Sequence, residues 1–297
     1  MSSRLLAFAG HKQAGKTTSS NFLHGYQLRA NGVINGFDIT TDGRLVIKTN
    51  IINENGQEEE TQGFLDTGRD DPEFSEWASY NMWPYIKRYS FAAPLKQIAV
   101  RLFNLDPSCV YGDNIKKNLP TPLRWEDMPG VITDKTTANK KGVKELIKNG
   151  TLHYHDPGRM SHREFLQFFG TDVCRRIYED IWFSKLLNDV SVEMPLIAVV
   201  DDCRFINEVE AIKNAGGKVV YLKRKPYEDT HASESELASY NGFDLVIDNT
   251  EFSIHETNVK IIEALDEWGW LGKNIKPEVT TAQDDKHIVG GIHKIKG

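Results

Sequence analysis

The chain has 297 residues, 39% hydrophobic and 26% charged, enough for a sizeable core in one large α/β domain with insertions or in two small domains. Its net charge of −6 excludes a protein that coats nucleic acid, because backbone binding needs clustered Lys and Arg. No apolar run approaches the ~18–20 residues that span a bilayer, and Gly10 and Lys12 interrupt any signal-peptide core. Cys109, Cys174 and Cys203 are far apart and form no C-x-x-C pair, so reduced thiols in a cytoplasmic protein are expected.

In chain order, Arg4–Ala9 reads as a buried strand that ends at a glycine. Gly10-His11-Lys12-Gln13-Ala14-Gly15-Lys16-Thr17 then fits G-x-x-x-x-G-K-[ST], the phosphate-binding P-loop, in the strand-then-helix setting that motif needs. Its backbone amides would form an anion nest at the positive end of the next helix. Lys16 would reach the β- and γ-phosphates, and the Thr17 hydroxyl would ligate Mg²⁺. The helix is predicted over Thr17 to about Arg29, with Phe22, Leu23 and Tyr26 facing the sheet, and Asn31-Gly32 closing it.

Residues 33–66 are β-rich, with Asp42-Gly43 and Asn55-Gly56 as hairpin turns. Residues 37–66 hold seven acids against Arg44 and Lys48, so the ribbon is expected to be a solvated insertion, with a dimer or partner contact as the other reading. Arg88–Phe91 reads as a second core strand leading through Pro94 into a helix that ends near Phe103. Residues 112–160 lack sustained periodicity, carry four prolines, and set nine bases against six acids. A basic lid over phosphates is expected there, or plain disorder for 132–150.

Ser161 and Glu164 form a capping-box pattern ahead of Phe165, Leu166, Phe168 and Phe169, which read as mostly core. Short helices are expected over Asp172–Tyr178 and Ile181–Asn188. Leu196–Asp202 is apolar on both faces, as a central parallel strand should be. A helix over Phe205–Ala215, strands at 218–222 and 243–247, a helix from Ile254 to about Trp268, and a polar, frayed tail from 273 complete the chain. This alternation predicts a doubly wound parallel sheet with ligands at the strands' carboxyl ends, where Ala92–Lys96, Asp201–Arg204 and Arg224–Ser233 also fall.

A P-loop alone leaves kinase, GTPase, motor and passive nucleotide module open. Asp201-Asp202 has the form of the acid that holds the Mg²⁺ shell, or of a helix cap. Arg204 could hold an acceptor phosphate bidentately. Lys96 is ill placed in the first turn of its helix unless it serves an anion. Arg163, the Gly170-Thr171-Asp172 turn and Trp182, a plate for a base, complete a set of groups suited to a second phosphate.

Gly10–Thr18, Ser90–Lys96, Leu123–Pro129, Leu166–Asp172, Asp202-Cys203-Arg204 with Asn207-Glu208, His231–Glu234 and Asp244–Asn249 together resemble the deoxynucleoside monophosphate kinases of large tailed bacteriophages. The resemblance runs from Leu5 to about Leu265, outside much of 33–87 and 132–150. It implies a three-layer P-loop NTPase fold over residues 1–272, with the 33–66 ribbon and the 112–160 lid as insertions. It further implies transfer of the γ-phosphoryl of ATP, with Mg²⁺, to a deoxynucleoside 5′-monophosphate, for phage DNA synthesis in the host cytoplasm. Gly10, Gln13, Ala14, Gly15, Lys16, Thr17 and Thr18 would hold ATP. Lys12, Leu95, Lys96, Arg163, Gly170, Thr171, Trp182, Asp202 and Arg204 would form the monophosphate site, with Lys12, Lys16, Arg163 and Asp202 catalytic. The resemblance points to a homodimer without nucleic-acid or membrane partners. Gln13 departs from the family by standing where a relative has arginine, and the ribbon has no counterpart in that relative. A kinase of another small acceptor, dephospho-coenzyme A or a sugar, and a non-catalytic ATP-binding module are the alternatives.

Overall fold

A computed structural model describes residues 3–53, 55–69, 71–224, 237 and 239–271. The expected turn over 225–233, the His231–Glu234 motif and the tail from 273 lie outside the described residues. The chain divides into two compact units, one formed by residues up to Phe91 and from Leu186 onward, the other by Ala92–Lys185. The second unit therefore begins before the expected 112–160 insertion and ends after it.

The first unit is built on a five-stranded parallel sheet. Its strands lie in the order Leu245–Ile247, Lys218–Leu222, Arg4–Gly10, Ile197–Cys203, Ile86–Tyr89. Arg4–Gly10 is central, and alternation sends its side chains to both faces. Leu6 and Phe8 join Val199, Val220 and Leu222 in one core with the helices Lys16–Ala30 and Ile254–Glu267. On the other face Ala7 and Ala9 are fully buried, and the helix Ile206–Asn214 packs on Arg4–Gly10 and Lys218–Leu222. A sheet covered on both sides favours near-continuous apolar runs, as in Leu5–Ala9, Ile197–Val200 and Val219–Leu222. Among the described residues no helix is long and apolar enough to cross a membrane.

The ribbon departs from expectation. It is a three-stranded antiparallel sheet, Gly36–Ile39, Leu45–Ile52 and Glu58–Leu65, with Leu45 opposite Leu65 and Ile52 opposite Glu58. Val33-Ile34 precedes it as non-strand, and the acidic run Glu58-Glu59-Glu60 pairs as a strand. Its far end is a solvated decoration, where Ile52 and Glu58–Glu60 are exposed. At its near end Leu45, Ile47 and Leu65 are buried in the main core beside Phe22, Leu23 and Tyr26. The helix Lys16–Ala30 is consequently buried at every position from Phe22 to Leu28, with Ser19, Ser20, His24 and Gln27 also inaccessible, so its middle has no solvated polar face.

Gly25 marks the closeness of that packing. A Cβ there would fall on the Phe37 ring and on Leu45 Cδ1.

The second unit has its own core of Ala99, Leu105, Val110, Trp125, Met160, Phe165 and Phe168. Pro94 opens its helix Ala93–Arg101, and the Ser161–Glu164 capping box is formed as the spacing predicts. Residues 112–160 are neither a bare loop nor disordered: Trp125 and Met160 are core, and 132–150 includes the short helices Lys135–Ala138 and Lys141–Lys148. After His162–Gln167 the chain widens into a π-helical stretch, Phe168–Cys174.

Gly25→Ala tests the ribbon docking. In an open helix the change stabilises by up to ~1 kcal/mol. Here overpacking should reverse the sign and destabilise by about 1 kcal/mol or more, read as a lower denaturant midpoint.

Candidate phosphate-binding site

Gly10, Gln13 and Gly15 have φ of +143°, +62° and +101°. Three left-handed residues in six turn the chain sharply from strand to helix. Gly10 is required twice over: its φ suits glycine, and a Cβ would fall on the Leu222 carbonyl of the adjacent strand. The first intrahelical bond runs from Ser19 N–H to Gly15 O at 2.9 Å. The amides of Lys16, Thr17 and Thr18 precede it and lie at the positive end of the helix. The buried Lys16 ammonium donates to the carbonyls of Gly10 (2.6 Å) and His11 (2.7 Å), so it folds back over the loop. Lys12, Gln13 and Thr17 are exposed, Ala14 is buried, and Thr18 is half-buried.

Asn249, just past the edge strand, fixes the loop from beneath. Its Nδ2 donates to Ala14 O at 2.9 Å, and its Oδ1 accepts from Arg224 N–H at 3.0 Å. It is buried, so these two bonds compete little with water.

The acid pair lies one strand over, at an irregularity in the sheet. Ala7 pairs with Val200, but Ala9 pairs with Cys203, so the Asp strand gains one residue between them. Such a bulge re-aims side chains. Both acids thereby reach residues of one neighbouring segment. Asp201 Oδ1 accepts from Arg88 Nε at 2.9 Å, and Asp202 Oδ2 accepts from Ser90 Oγ at 2.5 Å. Phe91 N–H lies 3.4 Å from Asp202 Oδ1. The two acids therefore differ. Asp201 is buried and ion-paired, while Asp202 is half-buried at the strand's carboxyl end. Burial pushes the Asp202 carboxyl above the usual carboxylate range, against the pull of the Ser90 hydroxyl. Arg204, in the same turn, is exposed, and its N–H donates to Glu208 Oε2 at 2.8 Å.

In the second unit, Arg163 Nε and Nη2 donate to Asn118 Oδ1 (3.0 Å) and Asn114 Oδ1 (2.9 Å). Two neutral amides hold the guanidinium without cancelling its charge. The Lys96 ammonium sits 5.4 Å from the Tyr111 ring centroid. Leu95, Gly170 and Trp182 converge: a Cβ on Gly170 would strike Leu95 Cδ2, and Trp182 Nε1 donates to Gly170 O at 3.2 Å. Trp182 is buried, so it buttresses this turn where the sequence reading has a plate for a base. Thr171 is exposed beside it.

Sequence reasoning passed over Asn114 and Asn118 altogether, and it quoted Arg88, Ser90 and Asn249 only inside longer stretches, with no role in the site. A lone arginine inside a core strand was the available signal for Arg88. The asparagines gave none.

With this geometry in place, comparison with known proteins is informative. Residues 115–261 match the deoxynucleotide monophosphate kinase family. A protein of Acanthamoeba polyphaga mimivirus, provisionally named a deoxynucleotide monophosphate kinase, is 28% identical over 191 residues, covering 60% of this chain and 81% of the relative. The family match takes in Arg163, Gly170, Thr171, Trp182, Asp202 and Arg204 but begins after the Gly10–Thr17 loop.

Beneath the loop, His24 is fully buried, with Nδ1 2.8 Å from Ser20 O. Its pKa is lowered to about 4, chiefly by burial with Arg88 adding to the effect, while the Ser20 carbonyl and Asp201 oppose it. The unfolded chain therefore binds a proton that the folded chain refuses between pH 6.5 and 4. The stabilising difference is present in full above pH 6.5 and lost as pH falls, on the order of 3 kcal/mol across the window. His24→Gln should flatten the pH dependence of unfolding free energy between pH 7 and 4, measured by urea titration.

Proposed function

We propose that this protein transfers the γ-phosphoryl group of ATP to 2′-deoxynucleoside 5′-monophosphates, releasing ADP and the deoxynucleoside diphosphate. The observation that carries the reading is the left-handed loop at Gly10–Gly15, with Lys16 folded over it at a helix N-terminus. Its support on the acceptor side is the family match over residues 115–261.

Phosphoryl transfer asks little covalent work of a protein; positioning and charge do most of it. The amides of Gly15–Thr18 would seat the ATP phosphates, and the Lys16 ammonium would exchange its two carbonyl acceptors for phosphate oxygens. Gly10, Gln13 and Ala14 would shape the loop around them. Lys12 would meet the acceptor phosphate. Arg163, Lys96 and Arg204 would bind that phosphate, with Leu95, Gly170, Thr171 and Trp182 shaping the monophosphate subsite.

Mg²⁺ fits the donor set. Among the described residues no group of three or more His, Cys, Asp or Glu side chains could form a metal site, so an all-protein cage is not what they offer. An exposed Thr17 hydroxyl and the Asp202 carboxylate suit an ion whose other ligands are substrate phosphates and water. When bound, Mg²⁺ would neutralise phosphate charge. Ser90 and the Phe91 amide would hold Asp202 in one orientation for that task or for the acceptor. A homodimer belongs to the same proposal.

A coupled ADP-release assay across dGMP, dTMP, dCMP, dAMP and their ribose counterparts tests the reaction. Turnover on at least one deoxynucleotide is expected; turnover only on dephospho-coenzyme A or sugars, or on nothing, refutes it. Lys16→Ala should abolish turnover while the fold survives, as judged by an unchanged far-ultraviolet circular dichroism spectrum. Arg163→Ala should raise KM for the monophosphate about tenfold or more with little change for ATP, because it removes a charge-assisted bond to one substrate.

A further inference from the structure

The ribbon has no part in the reaction as described, yet one of its turns reaches the phosphate loop's helix. The apolar docking of the ribbon uses Phe37, Leu45, Ile47 and Leu65 against Phe22, Leu23 and Tyr26. The turn Thr40–Arg44 extends beyond that contact to residues of the first turns of the helix, where Thr17, Thr18 and Asn21 carry polar side chains. There the contact is backbone and hydrogen bond. Asn21 Nδ2 donates to Gly43 O at 2.9 Å, and Asn21 Oδ1 accepts from Thr67 Oγ1 at 3.2 Å.

The turn is tightly closed. Gly43 N–H donates to Thr40 O (2.8 Å), Arg44 N–H to Thr40 Oγ1 (2.9 Å), and Thr40 N–H to Arg44 O (3.0 Å). Gly43 has φ +83° and is buried, and a Cβ on it would fall on the Thr18 hydroxyl. Only glycine lets the turn come this close.

Thr18 is the third helical residue, so its amide belongs to the nest. In a P-loop the lysine reaches the β- and γ-phosphates, while the loop amides cradle the α- and β-phosphates. A threonine in a helix divides between two side-chain rotamers. Gly43 lies close enough that a Cβ on it would fall on the Thr18 hydroxyl, so the turn borders the space in which that choice is made.

We infer that the ribbon turn Thr40–Arg44 is part of the donor-nucleotide site, with Gly43 and Asn21 as positioning residues that act through Thr18. The inference rests on the ATP-dependent reading above. It assigns the 33–66 insertion a role in holding the nucleoside triphosphate, apart from the acceptor.

The test is calorimetric binding of the non-hydrolysable ATP analogue adenylyl imidodiphosphate with Mg²⁺, and separately of dGMP and dTMP, to the full chain. The variants are Gly43→Ala, Asn21→Ala and Thr67→Val. Gly43→Ala drives a methyl into Thr18, and Asn21→Ala releases the turn should the first variant fail to fold. Each should weaken the ATP analogue about five- to tenfold, the size expected from losing one positioned hydrogen-bonding group, and leave monophosphate binding unchanged. Thr67→Val removes only the far side of the Asn21 clamp and should bind both as the wild type does. Wild-type affinity for the ATP analogue in folded Gly43→Ala or Asn21→Ala overturns the inference while leaving the reaction standing. Equal weakening of analogue and monophosphate, with a lower Tm, shows a purely structural contact and also overturns it. A wild-type protein that does not bind the analogue overturns the ATP-dependent reading itself.

Discussion

The constraint on which the first unit depends is the reversal of the chain between Gly10 and Gly15. A central strand must end with its last residue pressed on the neighbouring strand's carbonyl, and a helix must begin six residues later with its amides turned toward the same space. Only left-handed residues make that turn, and Gln13 is held in one without being glycine. Strain of this kind persists when the surroundings over-determine it. Asn249 supplies part of that determination through the Ala14 carbonyl, and Lys16 supplies more by bonding two loop carbonyls.

The acids show how a sheet separates two adjacent identical residues. In a regular strand Asp201 and Asp202 would point to opposite faces. The extra residue beside Ala7–Ala9 relaxes that rule, so Arg88 and Ser90, two apart on one segment, each engage one carboxylate. Asp201 is spent on a buried ion pair that ties two strands together. Asp202 keeps the position at the carboxyl edge, where open α/β sheets place their ligands. Below them a fully buried histidine, held neutral by desolvation, fills the space between the helix and the strands.

Much of the fold was legible because its signals are local. Apolar runs marked the strands Arg4–Gly10, Ile197–Cys203 and Lys218–Leu222, glycines marked the turns, and Ser161 with Glu164 marked a helix start. The ribbon was misjudged because charge dominates its composition while burial depends on a few positions. Leu45, Ile47 and Leu65 meet on one face only once the register pairs Leu45 with Leu65. The reading of 112–160 as loop, with 132–150 as disorder, failed for a related reason. Most elements here have five residues or fewer, too short to show a period, yet they can enclose Trp125 and Met160.

By itself the sequence determined the kind of element at most positions and the glycine-bounded loop between the first strand and helix, since each rests on residues within one or two turns of one another. Tertiary structure alone decided which acid is buried, what clamps the loop, and why the first helix has no solvated face from Phe22 to Leu28. Asn249 lies 235 residues from the carbonyl it holds, and Arg88 lies 113 from Asp201. Such pairs follow from strand order, register and one bulge, and none of these is written in any short stretch of chain.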